Sequence, residues 1–267
     1  GMNNYGIPII GTMRDIENTT KKDLQNWYKS YYQPNNAVVI IAGNFDKDKV
    51  KRYIKKYYGS IKNQKHGISI APSVEFETKE FFEVYEDVSK KVIFLSFKKP
   101  KFNEEEMRQL YAFDLFLEIM DGGYSSRLTE NLVNTQKVAL DTFISNDTYN
   151  EFPNLVIVGG TPRDNVKPIE LKSHLLEQFS DESINTITDE ELSSAKARIR
   201  ANNIYKFDSV FYQAMQVGML ETKDMSWKLL DDYYKISESI SLDEIKSAGK
   251  TYITGNEPLV TILRPKK

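Results

Sequence analysis

Two continuous apolar runs in different parts of the chain share one plan. The first is Ala37–Ile41 and the second is Leu155–Val158. Polar turn residues precede each run, and glycine (Gly43; Gly159 and Gly160), an acidic turn and an amphipathic stretch follow it. Continuous runs of valine and isoleucine are typical of strands that other elements cover. The pattern therefore predicts two strand–turn–helix units.

Periodicity predicts further elements along the rest of the chain. Helices are expected at 20–32, 46–58, 103–120, 125–133, 165–180, 188–206, 208–222, 226–238 and 241–252. Strands are expected at 36–43, 80–86, 91–98, 139–149, 154–160 and 258–264. The segment 59–75 is polar and poor in periodicity, as linkers are. The predicted fold class is α+β.

A second pair of segments matches more closely, at an offset of 221 residues that places Ser241 on Thr20. Each segment opens with Ser or Thr followed three residues later by Asp or Glu, the capping box of a helix start. At this offset Tyr31 meets Tyr252, Asn35 meets Asn256 and Val39 meets Val260 without a gap. Helix–turn–strand units also recur by chance, but a register kept over so long a stretch favours a duplicated module.

The duplication divides the chain into three parts. Residues 1–65 are interpreted as the C-terminal portion of a first module, 66–78 as a linker, and 79–267 as a complete second module. The residue Gly1 before Met2 resembles a cloning remnant, so the chain is interpreted as an excised piece.

Composition narrows the classes of protein. The 267 residues are 40% hydrophobic and 28% charged, with a net charge of −2, which does not favour nucleic-acid binding. No apolar run approaches the length of a membrane span. The absence of cysteine excludes disulfides, thiolate metal ligands and cysteine nucleophiles.

Two motifs carry a resemblance to the insulinase-like zinc metallopeptidases, the pitrilysin or M16 family. The opening segment resembles the end of the first family domain through Gly11, Ile16, Thr20, Leu24, Tyr31, Tyr32, Pro34, Asn35, Asn36, Ala37 and Gly43. A later segment resembles a motif of the second domain through Gly122, Gly123, Ser125, Ser126, Arg127, Leu128 and Leu132. The resemblance implies sandwich modules of the LuxS/M16 type, each an antiparallel-rich sheet flanked by helices.

The resemblance also implies zinc chemistry, which this chain does not carry by itself. The family binds zinc through a His-x-x-Glu-His helix and a later Glu. The two histidines, His66 and His174, lie 108 residues apart and outside any such motif. We therefore assign no catalytic residue and no metal ligand here, and expect the parent protein to bind zinc through residues upstream.

Two near-matches to the zinc motif have simpler interpretations. The segment His174 to Gln178 has Gln in place of the second His, and is interpreted as an ordinary helix. The segment Leu115 to Ile119 occupies the helix equivalent to the zinc helix, with Glu118 at the position of the base. Leu115 and Ile119 are then expected in the core, and Glu118 is expected to be solvated or paired.

A further departure concerns substrate binding. Active relatives supply an Arg and, seven residues later, a Tyr that hold substrate and stabilise the oxyanion. The corresponding positions here are Val133 and Leu140, whose side chains donate no hydrogen bond. Arg127 is interpreted as tying its loop to a helix, with phosphate binding as the alternative.

Three functions fit these observations. The first is the C-terminal part of an M16-type zinc peptidase subunit, which forms chamber wall and interface for peptide hydrolysis. The second is a non-catalytic scaffold or partner subunit of such a heterodimer, and the third is a peptide-binding module that acts by strand addition. The resemblance implies a peptide substrate and a homologous partner subunit or homodimer. The charge and hydropathy of the chain predict no nucleic-acid partner and no membrane span. The resemblance also implies a bacterial protein, and leaves periplasm, cell envelope and cytoplasm open.

Overall fold

The chain divides into two compact units in a computed structural model. The structure describes residues 9–63, 81–99, 102–149 and 155–266. Unit 1 contains the described residues 9–63 together with 204–229, and unit 2 contains the described residues from 81 to 203 together with 230–266. The predicted linker 66–78 lies outside the described residues.

Ten α-helices are found in the described residues, with short 3-10 turns at Pro34–Asn36 and Glu104–Glu106 and a π-helix at Thr129–Thr135. The helices are α1 (Met13–Asn18), α2 (Lys21–Tyr31), α3 (Lys47–Tyr58), α4 (Met107–Asp121), α5 (Pro168–Glu177), α6 (Asp181–Asn185), α7 (Asp189–Phe207), α8 (Val210–Glu221), α9 (Leu229–Ser239) and α10 (Leu242–Tyr252).

One five-stranded sheet lies in unit 2. Its strands are β1 (Phe81–Glu86), β2 (Val92–Lys98), β3 (Ala139–Ser145), β4 (Leu155–Pro162) and β5 (Leu259–Pro265), in the spatial order β1-β5-β2-β4-β3. Only β1 and β5 run parallel, and the other neighbours are antiparallel. This α+β arrangement, an antiparallel-rich sheet flanked by helices, confirms the predicted fold class.

The core of unit 2 lies between one face of this sheet and its helices. Alternate residues of β2 are buried (Ile93, Leu95 and Phe97), as expected for a strand with one face against a core. Nine of the fifteen residues of α4 are buried, so this helix is surrounded by protein on most of its sides. The helices α5 and α10 add Leu171, Leu175 and other apolar side chains to the same cluster.

The prediction of a strand at 36–43 is wrong. Ala37 has extended backbone angles, but residues 37–42 pair with no other described strand. Apolar side chains in this segment are exposed, with Val38 at 47% and Val39 at 51%. A run of β-formers becomes a strand only when a neighbouring strand accepts and donates its backbone hydrogen bonds.

The two segments that the sequence pairs begin with helices of the same length and the same type of cap. Thr20 and Ser241 cap α2 and α10 through capping boxes with Asp23 and Glu244, and both helices have 11 residues. After the helices, however, the predicted pairing without a gap is wrong by one residue, because the offset between the two segments changes from 221 to 220 residues. The turn that follows is built by Asn36, whose Nδ2 donates to the Tyr31 carbonyl at 3.0 Å, and by Asn256, whose Nδ2 donates to the Thr251 carbonyl at 3.0 Å.

Candidate functional site

The candidate site is the part of α4 that the resemblance equates with a zinc helix. Leu115 is 0% exposed and Ile119 is 3% exposed, and both belong to the main apolar cluster. Glu118, one residue before Ile119, is turned toward α7. The expectation that the two apolar residues lie in the core agrees with this burial.

Glu118 is paired rather than free. The guanidinium of Arg198 donates from Nε to Glu118 Oε1 at 2.8 Å and from Nη2 to the Glu118 carbonyl at 3.0 Å. Both side chains are mostly buried, with exposures of 30% and 22%. A cation at the last turn of a helix also interacts favourably with the helix dipole. Arg198 therefore neutralises the carboxylate and satisfies a carbonyl at the end of α4.

The glycines after α4 allow this close arrangement. A Cβ on Gly122 would lie 2.2 Å from the Glu118 carbonyl oxygen and 2.2 Å from its Oε1, so no larger residue fits there. Gly123 has a φ of 139°, which favours glycine. Both positions thus have a local structural reason to be glycine.

Ser126 and Arg127 continue this loop: Ser126 bonds within it, through its Oγ to Thr129 at 3.3 Å, and Arg127 fixes it to neighbouring helices. Arg127 Nε and Nη2 donate to the two carboxylate oxygens of Glu191 at 2.6 and 2.8 Å, and Nη1 donates to the Ser183 carbonyl at 2.9 Å. Burial works to raise the pKa of Glu191, but hydrogen bonds from Arg127 and Thr188 lower it below its ordinary value. This geometry ties the loop to α6 and α7, as the structural interpretation of Arg127 expects.

The positions assigned to the substrate-binding Arg and Tyr lie on different elements. Val133 is on the π-helix and packs against the core. Leu140 lies at an irregularity of β3 between Ala139 and Asp141, and is 37% exposed. Their equivalence to the Arg and Tyr of active relatives stays a prediction.

The other proposed motif residues have separate local roles. Pro34 opens a 3-10 turn, Asn36 closes the turn after α2, and Gly43 has a φ of 135°. Asn35, which the sequence pairing placed on Asn256, is an exposed residue of the same turn.

The histidine-containing near-match is an ordinary helix. His174 is half-buried on α5, and Gln178 is buried and accepts a hydrogen bond from Asn131 at 2.6 Å. His66 lies outside the described residues. Among the described residues, no group of three or more His, Cys, Asp or Glu side chains is placed to hold a metal ion.

Asp121, at the end of α4, caps one backbone amide on the edge strand of the sheet. Its Oδ2 accepts a hydrogen bond from the backbone N–H of Ile144 at 2.7 Å. β3 is the last strand of the sheet, so this amide would otherwise face outward. Burial, with a contribution from the negative charge of Glu118, raises the pKa of Asp121 to about 6.

Asp114, one turn before Glu118, is the centre of a second polar cluster that sequence reasoning missed. Its carboxylate accepts hydrogen bonds from Thr148 Oγ1 and from Asn146 Nδ2, the latter at 2.6 Å. Burial raises the pKa of Asp114 to about 6, although Thr148 and the charge of Lys99 oppose the shift. An Asp within an apolar helix is the signal that would have indicated a partnered carboxylate.

Within the described residues, no helix is both long enough and apolar enough to cross a membrane.

Comparison with known proteins agrees with this architecture. The family model described as "Peptidase M16 inactive domain" matches residues 18–199. The chain is 27% identical to the zinc protease PqqE of Helicobacter pylori, over 96% of this chain and 57% of that protein. It also resembles the crystal structure of a protease from Helicobacter pylori, with a TM-score of 0.81, 25% identity, and 96% of this chain and 61% of that chain covered.

A more distant structure shows the fold alone. The crystal structure of a peptidase M16 inactive domain from Pseudomonas fluorescens has a TM-score of 0.81 at 14% identity, covering 98% of this chain and 62% of that chain. The chain thus spans about three fifths of the length of these longer proteins. By its match over residues 18–199, the chain belongs to the M16 peptidase family, in the segment that contains the inactive domain.

Proposed function

We propose that this chain is the non-catalytic C-terminal part of an M16-type zinc peptidase subunit. In this role it forms wall and interface around a peptide substrate, and the zinc ligands come from a module outside this sequence. The relatives named zinc proteases are longer than the matched segment, which supports the proposal.

The state of α4 carries the proposal. The register that the resemblance gives to zinc ligands contains Leu115 and Ile119, which have no donor atom and lie in the core. The carboxylate between them, Glu118, is held by Arg198 at 2.8 Å. A general base must reach the proton that it removes. The Glu118 carboxylate is instead held in an ion pair with Arg198 of the same unit, which leaves it poorly placed for this role.

Zinc content and peptide cleavage test this function. The parent reading frame, expressed from roughly 160 residues upstream as the family resemblance implies, should bind one zinc and cleave an unstructured peptide, with its homologous partner subunit or as a homodimer. Substitution of the upstream motif Glu by Gln should abolish cleavage, whereas Glu118→Gln should leave kcat within about twofold. Loss of cleavage in a well-folded Glu118→Gln variant, or a completed protein without zinc, would refute the proposal.

A scaffold role is the second candidate, because Val133 and Leu140 offer no side-chain donor at the positions assigned to substrate binding. In that case the completed protein would bind zinc and pair with a homologous subunit, yet the pair would cleave no peptide. Introducing Val133→Arg and Leu140→Tyr together then distinguishes the two candidates. Cleavage that appears only with these substitutions favours the scaffold.

A further inference from the structure

The paired helices α2 and α10 differ in how much of their apolar side is buried by neighbouring elements. In unit 2, α10 buries Ile245, Ala248, Gly249 and Tyr252 along one side. These residues have the spacing of a helix face that packs on a neighbour. The buried side of α10 therefore shows what the same helix requires in the other half.

The corresponding side of α2 is open. At the offset of 221 that the helix caps define, the four positions are Leu24, Trp27, Tyr28 and Tyr31, which we name the α2 face. Leu24 is 61% exposed, Trp27 is 56% exposed and Tyr28 is 60% exposed, while Tyr31 is half-buried. Every position that is buried in α10 thus has a large apolar or aromatic counterpart that is at least partly exposed in α2.

In unit 2 the element that covers α10 is the helix α4. A Cβ on Gly249 would lie 2.6 Å from the Phe116 ring, and the rings of Phe113 and Tyr252 have centroids 4.8 Å apart. Phe113 and Phe116 both belong to α4. The covering element is therefore a helix that presents aromatic side chains.

In unit 2 the strand that follows α10 is paired on both of its edges. β5 lies between β1, with which it is parallel, and β2, with which it is antiparallel. In unit 1 the equivalent segment, 37–42, has no regular secondary structure and no paired strand among the described residues. It exposes Val38, Val39 and Ile41 at 47%, 51% and 44%.

An open groove of about 720 Å³ joins these features within unit 1. It is lined by the three aromatic residues of the α2 face, by the turn at Pro34, and by residues of α3 that include Ile54 and Tyr58. Contiguous exposed apolar surfaces mark sites of interaction. Aromatic side chains in such surfaces provide much of the binding energy of protein interfaces.

We infer that the α2 face and segment 37–42 form a docking surface for one occupant, a strand–strand–helix segment of the type that unit 2 supplies to itself as β1, β2 and α4. This inference rests on the proposed function, which assigns the missing module to a position upstream of this sequence, and the relatives are longer than the segment that they match. It specifies the contacts: the occupant's helix covers Trp27, and its two strands flank 37–42.

The internal copy also sets the register of the new strand. The asparagine turns place Asn36 on Asn256, which moves Ile40 onto Val260 and Ala42 onto Ile262. Val260 and Ile262 are buried, so Ile40 and Ala42 are the residues that face the helices in the completed sheet. A register shifted by one residue would turn Val39 and Ile41 to that side instead.

Complementation of two separate chains tests the docking surface. The polypeptide encoded directly upstream in the parent reading frame is co-expressed with this chain as a second, tagged chain. The background carries Trp227→Phe, which leaves Trp27 as the single tryptophan of this chain. We expect a one-to-one complex, a blue shift of Trp27 fluorescence, and slow hydrogen exchange of the amides in 37–42.

The matched variants are Trp27→Asp and Tyr57→Asp. Tyr57 is 62% exposed and lies on α3 outside the groove, so it controls for adding a charge to an exposed aromatic position. Trp27→Asp should weaken the complex about thirtyfold, as for a central interface tryptophan, and Tyr57→Asp by less than threefold. Both variants should retain the melting transition of unit 2.

Several results would overturn the inference. They are the absence of a complex, equal affinity of the Trp27→Asp variant, and fast exchange at 37–42 within a complex. Homodimers of the chain alone that Trp27→Asp disrupts would show that a second copy occupies the surface. None of these readouts uses zinc or cleavage. A complex that forms, but binds no zinc and cleaves no peptide with its homologous partner subunit or as a homodimer, refutes the proposed function and leaves the docking surface intact.

Discussion

Asp114 should make the stability of unit 2 decrease as pH rises through the mildly acidic range. Burial raises its pKa from 3.8 to about 6 in the folded protein. A group whose pKa is higher in the folded than in the unfolded state stabilises the fold fully below the unfolded pKa. That contribution is lost as pH rises through the folded pKa. A difference of about 2 pKa units corresponds to about 3 kcal/mol of unfolding free energy.

The variant Asp114→Asn isolates this contribution. The amide oxygen can still accept from Asn146, and the amide N–H can donate to the Thr148 hydroxyl, which both donates and accepts. Between about pH 3 and pH 7, the unfolding free energy of the variant should therefore rise relative to the wild type by about 3 kcal/mol. Hydrogen exchange of the β2 and β4 amides measures this for unit 2 alone.

Glu244 provides a control of opposite sign. Hydrogen bonds from Arg108 and from the Ser241 backbone lower the pKa of Glu244 to about 2. Its contribution is present above about pH 4.5 and is lost as pH falls toward about 2, so Glu244→Gln should lose stability relative to the wild type as pH rises. If the wild-type and Asp114→Asn profiles run parallel between pH 3 and pH 7, the assigned environment of Asp114 is wrong.

Two further predictions concern packing and the loop after α4. Gly249→Ala should destabilise unit 2 by about 1–2 kcal/mol in denaturant titrations, because the new Cβ would clash with the Phe116 ring. This loss should exceed the gain from the better helix propensity of alanine. In the control Gly218→Ala, also on a helix, the Cβ meets a single flexible methyl group, so this variant should be neutral or stabilising. Arg127→Ala should cost about 2–4 kcal/mol because it leaves the partly buried Glu191 unpaired, and Arg127→Lys should recover less than half of the loss since it cannot donate two parallel hydrogen bonds. Equal stability of the two glycine variants, or full recovery by Arg127→Lys, would contradict these assignments.

The sequence predicted best what short-range chemistry decides. The boxes at Thr20 and Ser241 marked the starts of α2 and α10 because a cap depends on residues three positions apart. The predicted helices 46–58, 103–120 and 188–206 agree with α3, α4 and α7 to within a few residues. The short helices α1 and α6, with six and five residues, were missed because such lengths carry too little periodicity.

Contacts between distant residues were not predictable in the same way. Arg198 lies 80 residues from Glu118, and no local pattern distinguishes it from other arginines on a helix. The prediction of a strand at 36–43 was wrong for a related reason. An apolar run indicates the conformational preference of the segment, but not whether a neighbouring strand is present to pair with it. The one-residue shift at Asn36 was also not predictable, because Asn35 and Asn36 are adjacent and either could be paired with Asn256.

The helices α2 and α10 have similar sequences and caps but different surroundings. Both helices carry the same type of cap, so local chemistry does not explain why Ile245 is 0% exposed while its counterpart Leu24 is 61% exposed. The difference lies in the neighbour, which unit 2 has in α4. A helix of 11 residues is marginal alone in water, and most of its stability in a protein comes from packing of its apolar face. The α2 face therefore has a stability that depends on its occupant, and hydrogen exchange of α2 should slow together with that of 37–42 when the occupant binds.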